Sequence, residues 1–479
     1  MFFLFFVNLD GWTLGFWYTF RTYMLGEAKL KEIAKKVLGY SGAQEVEVLL
    51  FVTDHGLTRF ANSQIHQNVS SQDLGLSVRI ILDPTSRKAP RGKRIGVASA
   101  NSFDEKELKN VVARAEVLAK NQKEDPHFVS LPKPQDLPKV ETSTEQATPE
   151  QRAEAVATII KKVKEVGHGI VASGAYDSSL SEVAVANSHG VWAYHAAAAS
   201  DLSTILLGPH STGFGSDLQK DPALINADLV ADRALKKVLD GEDPKDIEPG
   251  EYEVILEPQA VGEMMGFFAW LGPNARMYHE QASYFSGKLG EKVFGENITI
   301  VDDPLDEVGF VMPFDFEGFP KERLVIVDSG RLVNLTYDSY NAGRFKAKNT
   351  GHALPAPNTA GPIPLHLKFQ PGIKSMRQMI KDVKKGLLVT RLWYVRFLNP
   401  RSMTITGTTR DGTFLIENGK IKHAVKNLRF NQSIPEALSD VVSVGRDLVR
   451  LSSFETELGT NQMPALHIGK WKFTSGTEF

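Results

Sequence analysis

The spacing of apolar residues changes period several times along the chain, and each change marks an element. "GEAKLKEIAKKVLGY" (26–40) reads as an amphipathic helix. "EVEVLLFVTD" (45–54) and "GLSVRIILD" (75–83) are enriched in β-branched and aliphatic residues and predict strands. In "SFDEKELKNVVARAEVLAKNQ" (102–122), Leu108, Val111, Val112 and Ala115 share one helical face. Ser102 is the expected N-cap there, with Glu105 three residues on. Residues 125–147 are proline-rich and polar, which predicts a linker or surface excursion. Thr148, Pro149 and Gln151 then make a capping-box start for a helix through 166. A strand-rich run over 170–207 turns at "NSHG" (187–190), and "NADLVADRALKKVLDG" (226–241) is a helix that stops at Gly241.

Beyond residue 250 the pattern is mostly that of strands: "EYEVILEP", "NITIVDDP", "RLVIVDSGRLVNLTY" and "TFLIENGKIKHAV". "DSGR" and "ENGK" are expected hairpin turns, the second with the favoured Asn-Gly pair. Only "SMRQMIKDVKKG" (375–386) and "IPEALSDVVSVGRDL" (434–448) look helical in this half. No repeat of solenoid length is present. The reading is an α+β protein with mixed α/β N-terminal domains and a larger antiparallel, barrel-like, β-rich C-terminal domain. The expected division is 24–125, a linker at 126–147, a middle α+β domain at 148–245, and the C-terminal domain at 246–479.

Composition removes several classes of function. Lys+Arg number 55 against 57 Asp+Glu, so no basic excess points to nucleic acid. The chain has no cysteine, which excludes disulfides, thiolate ligands and a cysteine nucleophile, and fits a cytoplasmic location. Residues 1–23 are dense in Phe, Trp and Tyr, but Asn8, Asp10 and Gly11 interrupt them short of a membrane span. They also lack the charged start and small-residue cleavage site of a signal peptide. A membrane-anchoring segment is the alternative, but the expectation is that the fold begins at Met24 and that this extension is dispensable.

Candidate chemistry is sparse. His279 and Glu280 sit side by side like the opening of a zinc-protease helix, but Ser283 and Tyr284 stand where a second histidine is needed. His279 is therefore expected to be a polar surface or loop residue. There is no G-x-S-x-G elbow, S-x-x-K, P-loop or dinucleotide fingerprint. "GPHSTGFGSD" (208–217) offers His210, Gly213 and Gly215. A flexible surface turn is the favoured reading, and a peptide- or partner-contacting loop the alternative, since glycine lets another backbone approach. Asp302 and Asp303 resemble a metal pair but read better as a strand-end turn. His55, His66, His189, His195, His352 and His423 are dispersed, and none is paired at helical spacing with another.

Several ordered blocks nevertheless carry a resemblance. "VILEPQAVGEMMGFFAW", "SYFSGKLGEKV", "ITIVDDP", "LVNLTYDSYNAGRFKAKNTGHA" and "GTFLIENGKIKHAVKNLRF" resemble the TldD/PmbA family, as do "LTRFANSQIHQNV" and "MPALHIGKWKF". These proteins were first described as modulators of DNA gyrase and include a metalloprotease subunit. The resemblance implies two branches: TldD-like chains with HExxxH and a C-terminal cysteine ligand, and PmbA-like (TldE) chains that lack them and pair with a TldD subunit. Counting from "VILEP" and from the S-x-F-S-G block places the three motif positions at Gly266, Phe267 and Leu271. None of these side chains can bind zinc or activate water, and a zinc site needs three protein ligands. The implied protein is thus a non-catalytic PmbA-like subunit with no cofactor of its own. Zinc is expected in a TldD-like partner, and the pair would cleave unfolded or extended peptides. A stand-alone peptide-binding homodimer and an autonomous hydrolase are the alternatives. The family layout also puts "NTGHALPAPNTAGPIP" (349–364) near the substrate cavity, which makes Gly351, His352 and Pro355 candidates for substrate or interface contact.

Overall fold

The computed structural model describes residues 24–83, 92–141, 143–452 and 459–477. The extension 1–23 lies outside them. The N-terminal half is built on one six-stranded antiparallel sheet. In chain order its elements are α1 (Glu27–Gly39), β1 (Glu45–Ala61), β2 (Gln64–Leu82), β3 (Arg94–Ala100), α2 (Glu105–Asn121), α3 (Pro149–Val166), β4 (Val171–Asn187), β5 (Trp192–Leu207), β6 (Thr212–Gln219) and α4 (Ala227–Asp240). The strand order is β3-β2-β1-β4-β5-β6, so strands from before and after residues 126–147 belong to one sheet.

Two cores lie side by side on this sheet. Leu30, Ile33, Val37, Leu108, Val111, Val112 and Ala115 of α1 and α2 pack with β1 and β2. Val156, Ile159, Val163, Val230, Ala234 and Val238 of α3 and α4 pack with β4 and β5. The capping box at α3 forms as expected, with Gln151 N–H donating to Thr148 Oγ1 and Gln151 Oε1 accepting from Thr148 N–H. At α2 the expectation is corrected: the N-cap is Asp104. Ser102 instead makes a local turn, donating its hydroxyl to Asp104 Oδ2 and accepting Asp104 N–H. Residues 126–141 and 143–147, expected as a linker, are strapped to the sheet, with Asn187 Nδ2 donating to Pro132 O and Ala198 N–H to Ser143 O. Phe128 and Leu131 of this strap are buried, and Leu131 N–H donates to Glu45 Oε2 at 2.7 Å.

The C-terminal half contains β7 (Glu251–Leu256), α5 (Pro258–Leu271), α6 (Ala275–His279), β8 (Ile300–Asp302), β9 (Leu324–Asp328), β10 (Arg331–Leu332), α7 (Ser339–Phe345), β11 (Leu367–Phe369) and α8 (Met376–Asp382). These are followed by β12 (Lys385–Asn399), β13 (Thr404–Glu417), β14 (Lys420–Ala424), β15 (Leu428–Ser433), α9 (Ile434–Ser439), β16 (Val441–Val444), β17 (Val449–Ser452), β18 (Thr460–Met463) and β19 (Leu466–Gly476). β12, β7, β19, β15 and β13 pair in sequence, and β12 also pairs with β13, which closes a five-stranded barrel. A second sheet, β10-β9-β8-β11-β18-β17, stands beside it. The β-rich α+β architecture expected from the sequence is thus present, with parallel pairs at β7–β12 and β11–β18 within mostly antiparallel sheets. The hairpins at "DSGR" and "ENGK" pair Asp328 with Arg331 and Glu417 with Lys420.

Several helix assignments change: α6 and α7 form where no helix was expected, and 385–386 open β12 rather than continue α8. The run 434–448 is helical only through Ser439. Val441–Val444 then pairs with β19, because three valines in four residues fit a pleated surface better than a helix. Conversely, residues 258–271 form α5, whose nearly unbroken apolar run hides any helical period. Among the described residues no helix is long and apolar enough to cross a membrane.

Candidate functional site

The segment that the resemblance assigns to a metal helix is α5. Glu257 N–H donates to Val389 O of β12 at 2.9 Å, which anchors the helix start to the barrel. Pro258 occupies the first turn, where its missing N–H would have no intrahelical partner anyway. One face of α5 is packed hard into the main core: Val261, Met264, Met265 and Phe268 are fully buried. Phe267 meets Phe397 edge to face at 4.8 Å between ring centroids, and Leu271 is buried in the same core. The opposite stripe, Gln259, Gly262, Glu263 and Gly266, follows helical i, i+3, i+4, i+7 spacing and lines a cavity of about 290 Å3 between the two halves.

Across that cavity stand Asp201 of β5, Phe214 and Ser216 of β6, Arg391 of β12, and Arg450 and Ser452 of β17. Gln259 donates through Nε2 to Ser216 Oγ at 2.8 Å and so ties α5 to the N-terminal sheet. Arg391 is held by Asp411 at 2.9 Å and lies over the Phe214 ring, 4.1 Å from its centroid. Burial pushes the Asp201 carboxyl up to about 6, with the Ser452 hydroxyl opposing and Asp177 and Asp217 adding. Glu263 is exposed along the helix, yet the surrounding walls desolvate its carboxyl and raise it, while Arg391 pulls the other way. Gly262 gives the close approach: a Cβ there would meet Leu451 Cδ1 at 2.4 Å.

The donor set does not fit zinc. Of the three motif positions, Gly266 faces the cavity and Phe267 and Leu271 are core residues, so none presents a ligand atom. Glu263 is the one carboxylate on the exposed stripe, beside an amide and two glycines. Among the described residues no three His, Asp or Glu side chains gather as a metal would require. What the cavity offers is hydrogen-bonding groups of both kinds and paired charges.

The other singled-out residues fall elsewhere. His279 ends α6, bonds Tyr337 Oη at 3.0 Å and stacks on Phe345 at 3.9 Å, while Glu280 pairs with Arg276 and Arg344. Gly213 and Gly215 belong to β6, and the backbone that approaches them is the chain's own α4. A Cβ at either position would lie 2.1 Å from Ala234 O or Val230 O. His210 is exposed at the rim of a different cavity, with Gly208 and Asn427. Gly351, at φ 71°, packs on Pro320 O, and His352 is buried, bonding Thr350 Oγ1 at 2.9 Å and Asp302 Oδ2 at 3.1 Å. Pro355 is exposed, and its neighbours Leu354, Ala356 and Pro357 line a third cavity. His55 pairs with Asp177, His189 approaches Glu45, and His195 is buried against Phe314, so these histidines do not converge. Missed by sequence reasoning were Asp201, Glu263, Arg391 and Arg450. Their one legible signal was the i, i+4 polar pair Gln259 and Glu263 in an apolar run.

The fold is a β-rich α+β scaffold, and the helix at the position that the resemblance assigns to a metal carries no ligand set. Comparisons with known proteins give the family. The model of the PmbA/TldA metallopeptidase C-terminal domain matches residues 249–475, and that of PmbA/TldA metallopeptidase domain 1 matches residues 46–119. The chain belongs to the PmbA/TldD family. A metalloprotease of Methanocaldococcus jannaschii is 27% identical over 237 residues, 49% of this chain and 51% of that protein. The metalloprotease PmbA of Escherichia coli O157:H7 is 24% identical over 307 residues, 62% of this chain and 64% of that protein. The matches thus span about half to two thirds of these curated relatives. In fold, TldE from Thermococcus kodakarensis superposes with a TM-score of 0.83 at 21% identity, covering 93% of this chain and all of that one.

Proposed function

We propose that this chain is a non-catalytic, TldE-like subunit that assembles with an HExxxH-bearing paralogue to cleave unfolded or extended peptides. The observation that supports the reading is α5: a helix facing an inter-half cavity, with glycine, phenylalanine and leucine at the three positions that the resemblance assigns to the metal motif. The paralogue would supply zinc and bond cleavage, and this chain would supply a wall of the chamber and contacts to the peptide main chain. A second feature supports peptide holding. β2 pairs with β3 only from Leu76 to Leu82, so along Gln64–Gly75 its outer edge carries no neighbouring strand among the described residues. An open edge of this kind can accept an extended peptide as a further strand with little sequence demand. The test is co-expression with such a paralogue, followed by zinc analysis and hydrolysis of an unstructured peptide. The expected result is zinc in the paralogue, none in this chain purified alone, and hydrolysis that needs both chains. One tightly held zinc in this chain, or hydrolysis by it alone, would overturn the reading.

A further inference from the structure

The third cavity, of about 550 Å3, lies between β3, α2 and the strap on one side and the 338–361 segment on the other, and it shares no lining residue with the α5 cavity. Its size is within the range of small-ligand sites, about 300–1,000 Å3. Ile95, Val97, Phe128, Leu354 and Pro357 give it apolar walls, and Arg79, Glu317, Asp338 and Asn341 give it a polar end. That end carries buried polar atoms without partners, one of them the donor Arg79 Nε. Asp338 caps α7 through Oδ1, which accepts Asn341 N–H at 2.7 Å and Asn341 Nδ2 at 2.9 Å, while its Oδ2 takes no hydrogen bond among the described residues. Asn341 is 2% exposed, and its Oδ1 also has no donor. Both side chains are buried in the cavity wall, and Asn341 Oδ1 is fully out of water, where an unmade hydrogen bond is costly.

Charge points the same way. Glu47 and Glu317 share the single guanidinium of Arg79, at 2.6 and 2.9 Å, and Asp338 and Asp315 lie beside them. Burial lifts the Asp338 carboxyl to about 6, with Glu317 adding to the rise. The nearby Lys321 is itself held by Asp302 and Gly351 O. At the rim the cations Arg276 and Arg344 are already paired with Glu280. The inner end therefore presents unpartnered acceptors beside one unpartnered donor, Arg79 Nε, with more carboxyl groups than cations around it, and the rim cations are already paired.

We propose that this cavity binds a primary ammonium group adjoining a carbonyl, the chemistry of a free peptide amino terminus, with Asp338 and Asn341 as its acceptors. The site goes beyond the subunit role and does not depend on it, so it is testable in the isolated chain. Calorimetric titration with trialanine is compared with N-acetyl-trialanine and with n-butylamine. Trialanine should bind saturably and at least about tenfold more tightly than either, as expected for losing one charge-assisted hydrogen bond or the carbonyl contact. Asp338→Asn keeps the cap of α7, because asparagine caps as well as aspartate, and should weaken trialanine binding about tenfold without lowering the melting temperature. Equal affinity for the acetylated peptide or for butylamine, or no saturable binding, would overturn the proposal. These comparisons use the unmodified chain and so hold even where the variant folds poorly.

Discussion

At Asp302 one buried carboxylate ties together residues that are far apart in the chain. It accepts His366 N–H at 2.8 Å, bonds His352 Nε2 at 3.1 Å, and stands 3.7 Å from Lys321 Nζ, with both charged side chains almost entirely out of water. Burial by itself would raise this carboxyl. Lys321 first and His352 second outweigh it and hold the group well below the usual carboxylate range. Asp302→Asn leaves the Lys321 ammonium buried without its counter-charge, so a loss of roughly 3–5 kcal/mol is expected at neutral pH. Because the folded-state value is depressed, this contribution is fully present above the unfolded value of about 4 and is lost as pH falls below it. The stability gap between the two proteins, measured by urea unfolding, should therefore be flat from roughly pH 6 to 8 and narrow progressively below about pH 4. Asp303→Asn next door breaks only a contact to the exposed Arg323 at 3.5 Å and should cost within about 1 kcal/mol. Equal effects of the two substitutions would sink this account. In the sequence the two aspartates are indistinguishable, and His352 reads as a loop residue, because nothing local shows that Lys321 and His352 meet Asp302.

Among the elements, β6 shows most clearly where a local reading stops. Its glycines suggest a flexible turn, in which Gly→Ala would be neutral or slightly stabilising. Packed under α4, the same residues are contact points, and an added Cβ meets main-chain oxygen, which cannot rotate away. Gly213→Ala and Gly215→Ala should each lower the urea midpoint, by about 1–3 kcal/mol in stability, whereas exposed His210→Ala should stay within about 0.5 kcal/mol. A neutral result at both glycines would restore the flexible-turn reading. Elements with their own punctuation were legible: α3 with its capping box, α4 with Asn226 and Gly241, and the hairpin at Asn418-Gly419. Elements defined by what covers them were not. α5 is apolar on most sides, and its cavity stripe is marked only by Gln259 and Glu263 among glycines, so its period is faint. β1 and β2 run 17 and 19 residues, far beyond the aliphatic stretches that announced them, because the outer half of β2 is polar and largely exposed and that of β1 mixes polar and apolar residues at partial burial. The site behaved alike. Gly266, Phe267 and Leu271 could be located by resemblance, but Asp201, Arg391 and Arg450 reach the same cavity from three distant strands.

On the scale of the whole molecule, the two halves are interlocked. β4 lies between β1 and β5 and pairs with β1 from Asn187 opposite Glu47 to Gly174 opposite Phe60. The strap between them is fastened to the strand it crosses, since Glu45 of β1 accepts from Ser130, Leu131 and Lys93. One face of the sheet is covered by its own helices. From the other, Leu49, Val183, Val185 and Ala193 enter the same core as Met264, Phe268 and Phe314. A fragment ending before β7 would turn these apolar side chains out to water, so residues 24–245 expressed alone should aggregate or melt well below the whole chain. The intact chain should instead unfold as one unit. Trp192 opens β5 in the N-terminal sheet, and Trp471 is fully buried on β19 in the barrel, so variants retaining one or the other report on each half. Their fluorescence midpoints in urea should coincide. Two separated midpoints, with the 24–245 fragment folding at the earlier or later of them, would mean that the shared core contributes little. The α5 cavity, which needs both halves in register, could then not be a fixed wall of any chamber.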